Sequence, residues 1–360
     1  MYDPSKILTW LEENVQMRQS RRKTFAALVE GAMRLKGTGV LALGRAMSGP
    51  AQAKHRIKRV DRFLGNPQVE VDAVSEALFH QLRPSKGPVI VLADWTDRHD
   101  FQQLVLALPR DGRALPFYGL TVEKGDGSGK HEGLMVAAES QALGALARFC
   151  GDTIKPVIIA DRGFGNTRWL EEVAKRGWHF VQRLARNHWV SVEGHASVLG
   201  ELGIRRGWTA RDWGWGTMKE EPWGPIRLIT VFDRDAKEPW YLVTNLDGTP
   251  PAEIVRMYKR RMWIEAAFRD LKNRNWGMGM DLARLTQVTR HDRHFIVLAV
   301  AYMLLVAFGA AAETAGLGDQ LKANTTCDRV LSLARIGNYF LQVANVPITY
   351  AMDMLLDLPT

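Results

Sequence analysis

Two short apolar runs, each stopping at an aspartate, constrain the fold of this chain more than any other feature. Pro88-Val-Ile-Val-Leu-Ala93 leads into Asp94, and Lys155-Pro-Val-Ile-Ile-Ala160 leads into Asp161. A strand with one wet face alternates apolar and polar residues. A run without alternation reads as a strand covered on both faces, as in a sheet flanked by helices. Side chains emerging at the carboxyl ends of such strands collect at ligand sites, so the two aspartates are expected to share one. Between them come strand-like runs at Gln103 to Leu108 and Leu115 to Glu123, then a helical stretch from about Glu132 to Phe149. A helix and a further strand near Trp178 to Gln182 follow Asp161. The order β-β-β-α-β-α predicts an α/β fold, a mixed sheet flanked by helices.

The glycine-rich turn GDGSGK ahead of that first helix fails as a phosphate loop. Lys124 stands where the pattern needs glycine, and His131 follows Lys130 where it needs Ser or Thr. Residues 185–246 break into short alternating pieces rich in Gly, Pro and Trp, which reads as a β-rich insertion. A long helix from about Pro251 to Lys272, an apolar helix at 295–312 and a helix near Cys327 to Phe340 complete the chain. The expected units are a helical basic domain at 1–84, a core in two parts at 85–184 and 247–315 around the insertion at 185–246, and a helical region at 316–360. The uninterrupted run Phe295 to Ala312 approaches membrane-spanning length and follows a basic Arg-His-Asp-Arg-His flank. Its alanines and glycines dilute its transfer energy, so a fully buried helix is the expectation, with no membrane partner.

Charge points to a polyanionic partner. The chain carries a formal net charge of +9 with a pI near 9.6. Residues 18–62 alone hold twelve Lys or Arg against Glu30 and Asp61, a local balance of 12 − 2 = +10. Neutralising phosphates with such cations releases condensed counterions, which favours nucleic acid. Apolar residues recur at helical spacing in Phe25-Ala26-Leu28-Val29-Met33 and Ile57-Val60-Phe63-Leu64, so the segment reads as a small helical module whose exterior, including Arg56, Lys58, Arg59 and Arg62, holds DNA. Cys150 and Cys327 lie far apart in no ligand-like spacing, which argues against a disulfide framework or a zinc site. The N-terminus lacks an apolar signal region, and the expected location is the cytoplasm, at the bacterial nucleoid.

A third carboxylate comes from the helix MYKRRMWIEAAFRDLK. Tyr258, Arg261, Glu265 and Lys272 are spaced Y-x2-R-x3-E-x6-K and fall in a strip about 60° wide at 100° per residue. A neighbouring strip of Met257, Ile264, Phe268 and Leu271 would pack on the sheet. Three carboxylates supply hard oxygen ligands for two Mg²⁺ or Mn²⁺ ions, the arrangement that serves phosphoryl transfer. Arg261 and Lys272 would grip phosphates beside them, with the Tyr258 hydroxyl as a further donor. Asp97 competes with Asp94 for the role on the first strand; Asp94 ends the apolar run directly and is preferred.

On these residues the chain resembles a DDE transposase of the cut-and-paste insertion-sequence group defined by the YREK signature, close to the transposase of Tn10-type elements. The phrases that carry the resemblance are VLADWTD, IIADRGFG, KEPWYLVTNL and YKRRMWIEAAFRDLK. The resemblance implies an RNase H-like catalytic core interrupted by a β-rich insertion, Mg²⁺ dependence, binding to terminal inverted repeats and excision through hairpinned ends. It assigns Asp94, Asp161 and Glu265 to the metal-binding triad and Tyr258, Arg261 and Lys272 to contacts with the DNA end. It also implies that an aromatic of the insertion stacks on a flipped base; among Trp189, Trp208, Trp213, Trp215, Trp223 and Trp240, Trp240 is the choice, and the others are expected to be core. A homodimer is expected because two ends must be brought together. The same carboxylates would also serve a nuclease without strand transfer, and the basic module alone would serve a DNA-binding protein without catalysis.

Overall fold

The computed structural model describes residues 5–34, 37–125, 130–218, 222–322, 325 and 329–343. Five helices come first: α1 (Ser5–Asn14), α2 (Gln19–Arg34), α3 (Val40–Ala46), α4 (Ala53–Leu64) and α5 (Val71–Leu82). The apolar residues picked out by spacing in this region are interior, with Phe25, Leu28, Val29, Val60, Phe63 and Leu64 all buried. The opposite face of α4 exposes Lys54, Lys58, Arg59 and Arg62, and Arg56 is half-buried.

A hairpin of β1 (Ile90–Arg98) and β2 (Phe101–Arg110) and a third strand, β3 (Arg113–Glu123), lead into α6 (Lys130–Cys150). Next come β4 (Val157–Ala160), α7 (Thr167–Lys175), β5 (His179–Leu184), β6 (Trp189–Val192), β7 (His195–Val198), β8 (Trp208–Met218), β9 (Trp223–Phe232) and β10 (Trp240–Thr244). The chain closes with α8 (Pro251–Lys259), α9 (Met262–Lys272), α10 (Val288–Thr314) and α11 (Leu333–Val343). Ten strands form one mixed sheet in the order β3-β2-β1-β4-β5-β10-β9-β8-β6-β7. The first three are antiparallel, β1, β4 and β5 are parallel, and flanking helices cover the sheet, which is an RNase H-like core. The β-rich segment does not make a sheet of its own: β10 pairs antiparallel with β5 and carries β9, β8, β6 and β7 outward from it.

Three expectations shift. The first strand does not end at Asp94, because Asp94-Trp-Thr-Asp-Arg98 keeps pairing with β2. The long helix is two helices, since Arg260 and Arg261 bond back three residues, to Met257 and Tyr258, and the ladder tightens by one 3₁₀ step. The tryptophans of β6 to β10 are half-buried or exposed, for this arm of the sheet is thinly covered. Of the expected helix near Cys327, the structure shows α11; Cys327 lies outside the described residues.

The run that could have crossed a membrane is the centre of the molecule. The most apolar window of α10 is 94% buried, and the helix packs on β3, α2 and α11. Glycine lets it do so. A Cβ at Gly309 would collide with the Leu333 carbonyl, and one at Gly337 with the Leu305 carbonyl, so α10 and α11 approach at backbone distance. The polar start of α10 ties the helical module to the core: Arg293 donates to Leu64 O at 3.0 Å and Val69 O at 3.2 Å, and the His294 ring lies 2.8 Å from Thr38 O.

Candidate active site

The parallel register places Ala93 opposite Ala160, so Asp94 and Asp161 leave adjacent strands at the same level. Asp161 then caps the short turn Arg162–Phe164, its Oδ1 accepting from Gly163 N at 2.8 Å, while its Oδ2 faces Arg261. Helix α9 brings the third carboxylate. Its apolar strip, with Met257 of α8, is buried as spacing required, and this fixes which edge of the helix faces the strand ends.

All three carboxylates converge on one side chain. Arg261 Nη2 lies 3.2 Å from Asp94 Oδ2 and 3.3 Å from Asp161 Oδ2, and Arg261 Nη1 lies 2.5 Å from Glu265 Oε1. Burial pushes the Asp94 carboxyl up to about 7; Arg261 draws it down, while Asp161 and Glu265 push it further up. Burial works against the charge of Arg261, but Asp94, Tyr258 and Asp161 outweigh it and the guanidinium is held above its ordinary range. Three carboxyl groups thus face one guanidinium in a half-buried cleft.

Asp97 stands apart. Three residues is an odd step along a strand, so its side chain turns to the other face of β1 from Asp94. There it accepts from Lys124 Nζ at 2.9 Å and Gln102 Nε2 at 3.1 Å, and these bonds hold its carboxyl below the usual range. Lys272 Nζ donates to the Asp97 carbonyl, and burial lowers its ammonium below its usual range.

Tyr258 and Trp240 form the opposite wall. Their rings meet edge to face with centroids 5.1 Å apart, and the Arg183 guanidinium lies 6.0 Å from the Trp240 ring. Burial pushes the Tyr258 hydroxyl up to about 12, so it stays a donor at neutral pH. Trp240 is half-buried. Trp208 and Trp213 instead flank Arg211, at 5.2 and 4.5 Å, and Trp213 donates to Thr230 Oγ1, further out on the sheet arm. Sequence reasoning missed Arg183, which also pairs with Glu238 at 2.7 Å. Its signal was position: one residue past Gln182 in the strand beside β4. Arg56, Lys58, Arg59 and Arg62 are on α4 rather than at this cleft; Arg59 donates to Thr24 Oγ1 and Arg56 to Gly49 O.

Among the described residues no three carboxylate, histidine or cysteine side chains stand close enough to hold an ion as they are. The donor set nonetheless suits Mg²⁺ or Mn²⁺: three carboxylates, no sulfur, no imidazole, already gathered on one positive group.

Residues 134–304, a little under half of the chain, match the family model for the transposase DDE domain. The matched span includes Asp161, Trp240, Tyr258, Arg261, Glu265 and Lys272 and begins after Asp94. No curated protein matches the chain. The match supports a DDE transposase, a kind of DNA-processing enzyme that generally uses divalent metal ions.

Proposed function

We propose that this chain is a DDE transposase of the YREK group that cleaves DNA at the ends of its mobile element and joins the 3′-OH ends to target DNA. Asp94, Asp161 and Glu265 are its metal ligands. The observation that carries the reading is the convergence of these three carboxylates, from β1, the end of β4 and α9, on a single cation. Two Mg²⁺ ions held there, with Mn²⁺ as a substitute, would activate the attacking oxygen and stabilise the leaving one in phosphoryl transfer.

The chain's own residues bind and orient the DNA. Arg261, just ahead of α9, and Lys272, at its end, meet the phosphates of the bound strand, with Tyr258 as a neutral donor. Trp240, half-buried, would stack on a base turned out of the helix, and Arg183 beside it adds positive charge. On the helical module, Lys58 and Arg62 project from α4 toward the terminal-repeat duplex, and Arg56 and Arg59 shape the same face. Two copies working together would bring two ends into one complex, in the cytoplasm at the nucleoid.

Purified chain with Mg²⁺ should nick DNA bearing its element's terminal inverted repeats and yield strand-transfer products. Asp94→Ala or Glu265→Ala should abolish both. Nicking without any joined product would make the chain a nuclease, and full activity in either variant would remove the assigned site.

A further inference from the structure

The positive charge at the centre of the three carboxylates belongs to the protein itself. We propose that Arg261 is a built-in counter-ion that keeps divalent cations out of the DNA-free site and surrenders the carboxylates when its guanidinium moves to a DNA phosphate. The inference rests on reading Asp94, Asp161 and Glu265 as metal ligands.

Geometry makes the arginine and an ion exclusive. The guanidinium nitrogens occupy the space on which all three carboxylates converge, at 2.5, 3.2 and 3.3 Å from their oxygens. A Mg²⁺ ion takes oxygens at about 2.0–2.1 Å. Either the guanidinium or the ion can be central to the three groups, but not both.

The bonding makes the arginine displaceable. Each carboxylate is met by one nitrogen, and none is gripped in the two-pronged fork in which arginine binds anions most strongly. One guanidinium is shared among three carboxyl groups, so the site retains oxygen ligands for a further cation. A phosphate can accept the fork that no carboxylate here does, and the arginine would gain by the exchange.

The backbone places the side chain at a joint. Arg261 follows the 3₁₀ step between α8 and α9, where Arg260 N bonds to Met257 O and Arg261 N to Tyr258 O. Its neighbour Arg260 lines a separate cavity of about 620 Å³ on the other side of the joint, with Arg256 and Trp263. Neighbouring arginines thus face different solvent spaces from one short step of backbone. The consequence is that metal loading waits for DNA, which keeps a hydrolytic centre uncharged with metal in the free protein.

The test measures Mn²⁺ affinity of the full chain without DNA, from the electron paramagnetic resonance signal of free Mn²⁺. Arg261→Gln should bind Mn²⁺ roughly tenfold more tightly than the wild type, about one decade in Kd. Arg261→Lys, with one charge but no fork, should fall between the two. An arginine that merely holds the carboxylates in place gives the opposite sign, because its loss would scatter the ligands and weaken binding. Equal or weaker Mn²⁺ affinity in both variants overturns the proposal, and the rise in Tm on adding Mn²⁺, larger in Arg261→Gln than in the wild type, provides a second readout. A control separates the two levels of the argument. If Asp94→Asn with Glu265→Gln leaves the Mn²⁺ binding of the Arg261→Gln protein unchanged, these residues are not ligands, whatever Arg261 does.

Discussion

Two buried arginines belong to elements that meet at the same sheet edge, and they have opposite surroundings. Arg98, four residues past Asp94 on β1, is 1% exposed. It donates to Gln103 Oε1 and Met280 O, both at 3.4 Å, and lies 3.2 Å from His294 Nδ1. Those partners are neutral, the nearest carboxylates do not bond it, and burial brings it down to about 10. Arg261 is bonded to three carboxylates and is shifted up. An arginine used to join elements is surrounded by carbonyls, amides and an imidazole that have no other use. An arginine at a working site is outnumbered by carboxyl groups that a structural role would not require. The difference lies in that surplus of carboxyl groups, not in burial.

The largest expected effect falls on the second group. Glu265→Ala or Asp161→Ala should lower DNA cleavage by about a thousandfold or more while leaving thermal unfolding nearly unchanged, measured by single-turnover nicking and calorimetry. Arg98→Met should do the reverse. Its loss leaves the Gln103 Oε1 and Met280 O acceptors buried without this donor, at about 1–3 kcal/mol each, read as a lower urea midpoint. An unchanged urea midpoint in Arg98→Met, or cleavage lost from its folded protein, would erase the distinction.

The network around Arg98 also sets a pH response. Burial, with Arg98 alongside, holds His291 at about 4 and His294 at about 3, below their usual 6.5, and burial holds Asp292 up at about 7. The bonds agree with a neutral His294, whose Nε2 faces the Thr38 carbonyl and Nδ1 the Arg98 guanidinium. Between about pH 4 and 6.5 the unfolded chain therefore binds two protons that the folded chain refuses, and the folded chain keeps one, on Asp292, that the unfolded chain has lost. Asp94, also held up at about 7, keeps a second such proton, so the net uptake on unfolding is close to zero and stability is nearly flat across this window. Asp292→Asn removes one opposing proton and should leave a net uptake of roughly one, so that stability falls on acidification in this variant, measured by urea unfolding across the window. A flat profile in both proteins would show that these groups titrate alike folded and unfolded.

The smallest effect concerns the helical module. Lys58→Ala with Arg62→Ala should weaken DNA binding without altering the fold, and should lower the slope of log affinity against log salt by about 2. An unchanged slope would mean that α4 does not touch phosphates.

Much of this was legible in the residues because it follows from local periodicity. The apolar runs before Asp94 and Asp161 became parallel strands in register, and Arg261 and Glu265 of the polar strip meet as their spacing suggests, while Lys272 reaches the Asp97 carbonyl instead. What escaped was set by tertiary contact. Nothing in Lys-Arg-Arg-Met announces a 3₁₀ step, since no Gly or Pro marks it. The Arg-His-Asp-Arg-His segment reads as a basic flank, yet His291 to His294 are buried because the helix continues inward and β1, β3 and the helical module supply partners. Asp94 and Asp97 could have been separated by strand parity alone, had the strand been drawn through Arg98.

The most direct measurement is the anomalous scattering of Mn²⁺ in crystals of the chain bound to its terminal-repeat DNA. The account requires peaks coordinated by Asp94, Asp161 and Glu265, with the Arg261 guanidinium moved onto a phosphate. Peaks at Asp97 or elsewhere, with Arg261 still bridging the three carboxylates, would contradict it.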